Sequence, residues 1–593
     1  MNHANTSAQT PTQTFIPSKD ASLESSIATL QAKLAALGFV VAEKSWLNDV
    51  EGIWSVHVTD TACTRLFSNG KGGSELAARA SALGEFFERL STNYFWTHFY
   101  LGERIANEAW VHYPSEHWFS LKSKGTRAKA ITDWPAGILN PELQAFYNPD
   151  QGVEPSQMVD LNSGNAERGI CTIPYTRISD GEVALFPVNL IGNLYVSNGM
   201  SAGNTLMEAR TQALAEIFER DIKFKIIKEG LCLPDVPESV IARYPRIAAG
   251  IAGLRAAGYG ILVKDASLGG KYPVMCVTML NPKDQGCFPS FGAHPQFEVA
   301  LERSLTELLQ GRAIDDLNDF PAPGFDMDEI ADPANLEIHF VDSSGVVSWN
   351  FLSDTPDFEF VDWNFSTNTQ ADYDWCVSTI HGMGKHIYVA DFAHLGVYGC
   401  RIIVPGMSEI YPIDELQWQN NSVGNLVRPA ILRLPELTDN DCAELLAQLI
   451  ELDLPDSLQI VTLIGLAADP GTPWQWLRLG ELKTLLALAA GDIDEALEGC
   501  GWVIQMAQLA EPRTRVYRCI EALIRLENPA PFEASLNLLY GADAVQQAHK
   551  LVHPDDYPNE RFFGLGTLGP NFEGSAMHTQ LLAAYDKVRA AQG

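Results

Sequence analysis

A pattern that the chain writes twice constrains it most: Arg-x-x-Ala-Leu-x-Glu-x-Phe-Glu-Arg runs from Arg79 to Arg89 and again from Arg210 to Arg220. Each copy follows a turn-rich stretch that opens with the same tripeptide, Ser68-Asn69-Gly70 and Ser197-Asn198-Gly199. The predicted unit is therefore a loop feeding a helix whose far end carries two glutamates and an arginine. Leu305-Thr306-Glu307-Leu308-Leu309-Gln310 is a third, weaker echo, with Gln310 where the second glutamate would stand. In the first helix Leu76, Ala80, Leu83, Phe87 and Leu90 have the spacing of a buried stripe, which leaves Ser81, Glu85 and Glu88 on the opposite face. In the second, Glu208, Gln212, Glu216 and Glu219 share one face, since their spacings are four, four and three.

Acids opposite an apolar stripe are ordinarily the solvated side of an amphipathic helix. A solvated face tolerates many residue types, however, and gives no reason to repeat Glu-x-Phe-Glu-Arg. As a helix ion pair the arginine would add only about 0.3–0.5 kcal/mol. Three helices presenting acids at the same relative position are expected to wall a polyanion site bridged by divalent metal. Mg²⁺ takes hard oxygen ligands, and at a nucleotide one or two carboxylates commonly suffice because phosphates supply the rest. Arginines and a lysine would offset the remaining negative charge.

The charge balance points the same way. With 74 acidic against 41 basic residues the net charge is −33, which argues against general nucleic-acid binding, where a basic stripe is expected. An acidic protein that takes an acidic ligand needs metal or clustered arginine at the site. The first eighteen residues are polar and no stretch reaches the roughly 18 apolar residues of a membrane span, so a cytoplasmic protein is expected. The ten cysteines form no C-x-x-C and no cluster, which excludes local zinc or iron–sulfur spacing and a disulfide framework.

Up to about residue 420 the chain mixes strands with helices, an α/β or α+β pattern. Gly52 to Val58, Tyr259 to Lys264, Tyr272 to Leu280 and Ile387 to Asp391 read as strands. Phe320 to Trp375, rich in Asp, Pro, Asn and Thr, is expected to contain long surface loops and is given no catalytic role. Beyond about Ile431 the pattern is helical hairpins: Leu477 to Ala490, Ile493 to Gln508 and Thr514 to Leu526, with short turns such as Ala490-Gly491-Asp492. Their recurrence near 34 residues suggests a tetratricopeptide-like scaffold. The expected domains are 1–420, mixed α and β, and 421–593, all-α.

Three motifs mislead. Gly564-Leu565-Gly566-Thr567-Leu568-Gly569 fits the dinucleotide fingerprint but lacks a preceding strand and meets Pro570 where a helix should open. Asp315-Asp316-Leu317-Asn318-Asp319 reads as an acidic turn after a helix. His294 reads as a packing or turn residue. No G-x-x-x-x-G-K-[ST] exists, so a nucleotide site here cannot be a P-loop.

The repeated helices, together with TQTFIPSKD at 12–20, NLYVSNGMSAGNT at 193–205, FGAHP and ALERSLTELLQGR between Phe291 and Arg312, HLGVYGCRIIVPGMS at 394–408 and YGADAV at 540–545, resemble the YcaO family almost end to end. The resemblance implies a YcaO-type α/β catalytic domain that binds ATP and Mg²⁺ through its acid-rich helices. Heterocycle-forming members use ATP to phosphorylate a peptide amide oxygen and so drive cyclodehydration. Carried over by motif, the nucleotide-binding residues would be Lys19, Ser26, Ser81, Glu85, Glu88, Ser201, Asn204, Glu208, Glu216, Glu219, Arg220, Arg303 and Glu307. Glu85, Glu216, Glu219 and Glu307 would be the metal ligands, and Lys19, Arg220 and Arg303 the phosphate partners.

The resemblance further implies an accessory part in β-methylthiolation of an aspartate on a small-subunit ribosomal protein, beside a radical methylthiotransferase, and a homodimer. Without clustered cysteines the chain is not expected to be the radical enzyme itself. Azoline-forming members end in Pro-x-Pro-x-Pro, whereas this chain ends Asp586-Lys-Val-Arg-Ala-Ala-Gln-Gly593. That departure counts against cyclodehydration. An ATP-dependent amide-activating enzyme on an unknown peptide, and a nucleotide-regulated adaptor without turnover, remain open alternatives.

Overall fold

The computed structural model describes residues 13–121, 134–160, 164–413, 424–505, 509–526 and 528–591. The domain boundary expected at 420/421 and the last residues of the predicted helix ending at Gln508 lie outside them.

The strands are β1 (Val41–Val50), β2 (Ile53–Asp60), β3 (Phe67–Gly72), β4 (His117–Phe119), β5 (Ile170–Arg177), β6 (Val183–Pro187), β7 (Met200–Gly203), β8 (Gly260–Asp265), β9 (Val274–Asn281), β10 (Gly286–Ala293), β11 (Tyr388–Phe392) and β12 (Tyr398–Ile403). The four predicted strand segments fall on β2, β8, β9 and β11. They form three antiparallel sheets, β1-β2-β3, β10-β9-β8 and β4-β5-β11-β12-β7, with β6 paired to β5 in the last. Strands β3, β7 and β10 thus each lie at a sheet edge, and each leads into one of the three acid helices: Glu75–Ser91, Leu206–Glu229 and Phe297–Glu307.

Close approach of helix to strand explains the glycines of these units. A Cβ on Gly70 would collide with the Ala78 carbonyl and the Ala82 backbone. One on Gly203 would come within 2.7 Å of Ala209 N, and one on Gly292 within 2.5 Å of Ser304 N. Neighbouring serines fasten the contact in two units: Ser68 Oγ donates to Ala82 O and Ser290 Oγ to Ser304 O, both at 2.8 Å.

The sequence expectation of two equivalent turns is corrected here. Ser68-Asn69-Gly70 lies inside β3, where Gly70 serves packing, whereas Gly199 precedes β7 with φ +75° and serves a turn. The predicted stripe on the first acid helix also needs revision. Leu76 and Ala80 are only half-buried, while Ala78, Ala82 and Phe86 are fully buried, because β3 covers one side of the helix and the helix Leu23–Ala36 another.

The segment 320–375 is not simply loop. It holds the helix Pro333–Val341 and the start of the helix Thr369–Gly382. Some of the Asp, Asn and Pro residues that suggest loops start helices instead: Asp332 accepts from Ala334 N, Asn368 from Ala371 N, and Pro333 occupies the first turn, a position that suits a residue without N–H.

Beyond residue 424 the described residues contain helices and no strands. Leu479–Ala490 and Ile493–Gln505 form the expected hairpin, turned by Gly491 at φ +76°. The Gly564–Gly569 segment has neither a strand before it nor a helix after it, and its Leu565 and Leu568 are core residues. The last helix, Ala576–Ala590, returns to the N-terminal part. Its Leu581, Tyr585 and Val588 share a core with Leu34, Phe86, Phe87 and Trp96, and Trp96 Nε1 donates to Leu581 O at 3.0 Å.

Candidate functional site

The three acid helices present their carboxylates in the same register. Glu85, Glu216 and Glu307 each stand eleven residues after the N-cap residue of their helix, Ser74, Thr205 and Gln296, and Glu88, Glu219 and Gln310 stand three further on. All thirteen residues singled out from the sequence line one cavity of about 940 Å³. Glu208 at 4% exposed and Glu219 at 6% are no part of a solvated face, while Glu85 and Glu307 stay about a third open to the cavity.

The repeated pattern makes the same local structure twice. Arg89 folds back on its own helix, 3.5 Å from both Glu85 and Glu88, and lies over the Tyr94 ring at 4.3 Å. Arg220 does the same with Glu216 at 3.7 Å and Glu219 at 3.9 Å, over the Phe340 ring at 5.0 Å, and donates to Phe340 O. The third helix is tied in by Arg303, which donates to Gln212 Oε1 at 2.6 Å, and by Gln310, which donates to Asn69 O.

A second network closes the other wall. Lys19 Nζ and the Asp20 N–H donate to Glu208, at 3.1 and 3.2 Å, and Asn204 Nδ2 donates to both oxygens of the same carboxylate. Ser26 Oγ donates to Asn204 Oδ1 at 2.8 Å. Ser81 and Ser201 line the cavity between these networks.

Several lining residues escaped the sequence reading. Lys71 pairs with Glu307, and burial pulls its ammonium down to about 7 against the attraction of Glu219 and Glu85. Its signal was its place directly after Ser68-Asn69-Gly70, masked when that tripeptide was read as a turn. Arg89 closes the first copy of the repeat and lines the cavity, although it is not among the thirteen residues carried over by motif. Phe340, Asp342 and Ser343 also line the cavity, although their segment had been given no role. His294 is buried and its Nδ1 accepts from Gln296 N at 3.0 Å at the entrance to the third helix, the turn role expected of it, and it also lines the cavity.

The electrostatics leave room for added cations. Eight lining carboxylates face six lysines and arginines. Burial raises the carboxyl of Glu88 well above its usual range and raises that of Glu216, in both cases despite the arginine beside it. A divalent ion would relieve that cost. Among the described residues no three His, Cys, Asp or Glu side chains form a ready metal cage. Mg²⁺ on a nucleotide takes one or two carboxylates and completes its shell from water and phosphate, a demand that the lining acids can meet. Arg89 Nη1, Arg220 Nε and Thr211 Oγ1, on residues that line the cavity, are buried without a hydrogen-bond partner, an expensive state for buried polar atoms.

The family profile described as YcaO cyclodehydratase, ATP- and Mg²⁺-binding, matches residues 69–408, and the YcaO cyclodehydratase C-terminal domain matches 424–593. The chain is 48% identical over 590 residues to the ribosomal protein S12 methylthiotransferase accessory factor YcaO of Escherichia coli, covering 98% of this chain and 99% of that protein. A protein of Haemophilus influenzae is similar to the same extent. Among solved structures, a heterocyclase in complex with substrate and cofactor has TM-score 0.45 and 18% identity, covering 67% of this chain and 54% of that one. YcaO from Methanopyrus kandleri bound with AMPPCP and Mg²⁺ has TM-score 0.39 and 16% identity, covering 66% and 93%. The chain belongs to the YcaO family.

Proposed function

We propose that this chain binds ATP with Mg²⁺ between the three acid helices and acts as an accessory factor in β-methylthiolation of an aspartate on ribosomal protein S12. The observation that carries the nucleotide reading is the convergence of all thirteen motif residues on one cavity. The S12 role rests on the likeness to the Escherichia coli accessory factor over nearly the whole chain.

In this reading Glu85, Glu216, Glu219 and Glu307 hold metal, and Lys19, Arg220 and Arg303 face the phosphates. Ser26, Ser81, Glu88, Ser201, Asn204 and Glu208 complete the nucleotide site. Bound Mg²⁺ supplies charge neutralisation at the phosphates. The protein's own groups orient the nucleotide, and the Arg220 guanidinium is held in advance between Glu216, Glu219 and the Phe340 ring, so its charge needs little reorganisation. Residues 1–420 form the nucleotide domain and 421–593 the docking domain. The partners are a radical methylthiotransferase, the ribosomal protein, or both. The protein works in the cytoplasm as a homodimer without contacting nucleic acid. Among the described residues no helix is long and apolar enough to cross a membrane.

The family's description as cyclodehydratases favours a second reading, ATP-driven activation of a peptide amide. Phosphate release separates both from an adaptor without turnover. Sustained Mg²⁺-dependent release from ATP, lost in Glu216→Gln, supports catalysis, and its stimulation by an S12 peptide supports the accessory role. Tight ATP binding with no release assigns the site to regulation.

A further inference from the structure

The N-terminal segment 14–22 has no regular structure, yet it forms part of the cavity wall through Ile16, Pro17, Ser18 and Lys19. Its base is closed by Leu23 N donating to Thr14 O and by Thr14 N and Oγ1 donating to Glu24. Its tip is held from both sides. On one side stands Glu208. On the other stands the start of the helix Thr369–Gly382, where Thr369 Oγ1 donates to Asp20 at 2.7 Å. One turn further on, Asp372 is 0% exposed and accepts from Ser18 Oγ at 2.9 Å, from Gln296 Nε2 at 3.1 Å and from Ser366 Oγ.

A carboxylate removed from water needs compensation by charge or by several hydrogen bonds. Asp372 lies 3.8 Å from His294 Nε2, which burial keeps neutral by pulling its pKa well below the usual imidazole value. Hydrogen bonds from Ser18, Gln296 and Ser366 carry the compensation, the first from the strap and the second from the start of the third acid helix. Ser18 has φ +61°, a left-handed conformation that a serine holds only when its surroundings fix it. Gln296 is the N-cap residue of the third acid helix.

We propose that Asp372 is a positioning residue of the nucleotide cavity: through Ser18 it fixes the strap that carries Lys19, and through Gln296 it fixes the start of the helix that carries Arg303 and Glu307. The ligand side of this inference rests on the nucleotide reading above. The strap side stands without it.

The test uses the full chain as wild type, Asp372→Asn, Asp372→Ala, Ser18→Ala and the Ser18→Ala/Asp372→Ala double variant. Amide hydrogen exchange of residues 14–22 is followed without nucleotide, with the helices 479–505 as the folding reference. Exchange of the strap should rise at least tenfold in each variant while the reference is unchanged. The Kd for Mg²⁺-ATP should rise about tenfold in each single variant, and the double variant should be no weaker than Asp372→Ala alone. Strap exchange unchanged in all variants, or fully additive losses of affinity, would overturn the proposal. If Asp372→Ala does not fold, Ser18→Ala and Asp372→Asn decide it alone. A wild type that binds no ATP removes the nucleotide reading, and the exchange measurement still decides whether Asp372 holds the strap.

Discussion

Glu208, in the first turn of the second acid helix, accepts a hydrogen bond from Lys19 at 3.1 Å across 189 residues of chain. The carboxylate is buried and takes donors from Lys19, Asp20 and Asn204, so it joins the N-terminal strap to the cavity wall. Glu208→Ala would leave these donors without an acceptor. Leaving buried hydrogen-bond donors without an acceptor costs about 1–3 kcal/mol, and because Lys19 is itself 32% exposed, urea unfolding should show a loss of that size. ATP affinity should fall about tenfold through misplacement of Lys19, whereas Glu208→Gln should retain most of the stability.

The two kinds of glycine in this protein predict opposite effects of adding one methyl group. At Gly70 a Cβ would meet backbone atoms of the first acid helix, which cannot yield without moving the helix. Overpacking of this kind costs about 1–3 kcal/mol or more, and Gly70→Ala should also displace Glu85 and weaken ATP binding. At Gly501, within the helix Ile493–Gln505, a Cβ meets nothing within 4 Å. Gly501→Ala should raise stability by about 0.5–1 kcal/mol. Thermal unfolding of the two variants checks both signs.

His578 links three distant segments: Nδ1 accepts from Ala467 N at 3.1 Å and Nε2 donates to Tyr100 O at 2.9 Å. Burial lowers its pKa from 6.5 to about 4. The unfolded chain therefore binds the proton first, and stability present above about 6.5 is lost as pH falls towards 4. A shift of this size corresponds to something on the order of 3 kcal/mol. Denaturant midpoints measured from pH 7 to pH 4.5 should fall, and His578→Gln, less stable at pH 7, should show a shallower fall.

In the helical part Glu481 is 1% exposed, pairs with Arg513 and accepts from Tyr517 OH at 3.1 Å. Arg513 lies over the Trp476 ring. Removing one member of a buried pair leaves the other charge uncompensated, at about 3–5 kcal/mol. Arg513→Ala should lower the urea midpoint accordingly. Replacing Glu481 and Arg513 together by Leu and Met should restore part of that loss.

The acid helices were legible because their pattern is local and repeated: eleven residues from N-cap to glutamate is a property of the sequence itself. Lys19 and Ser26 came from the family resemblance, since no local pattern connects them to residues 204–208. Lys71 and the role of Gly70 were hidden because Ser-Asn-Gly codes equally well for a turn and for a strand that receives a helix. The segment 320–375 contains the expected loops over most of 342–368, but its helices were hidden because Asp332, Pro333 and Asn368 begin them with the same residue types that build loops. The return of Tyr585 and Val588 to the core of Phe86 and Trp96 left no signal in periodicity, which reports that a face is buried and not what buries it.

The most direct measurement is a calorimetric titration of ATP with and without Mg²⁺, on the wild type and on Glu85→Ala/Glu216→Ala. The account predicts magnesium-dependent binding to the wild type that the double variant loses while keeping its thermal unfolding midpoint within a few degrees. Equal binding by both proteins, or no binding by the wild type, would contradict it.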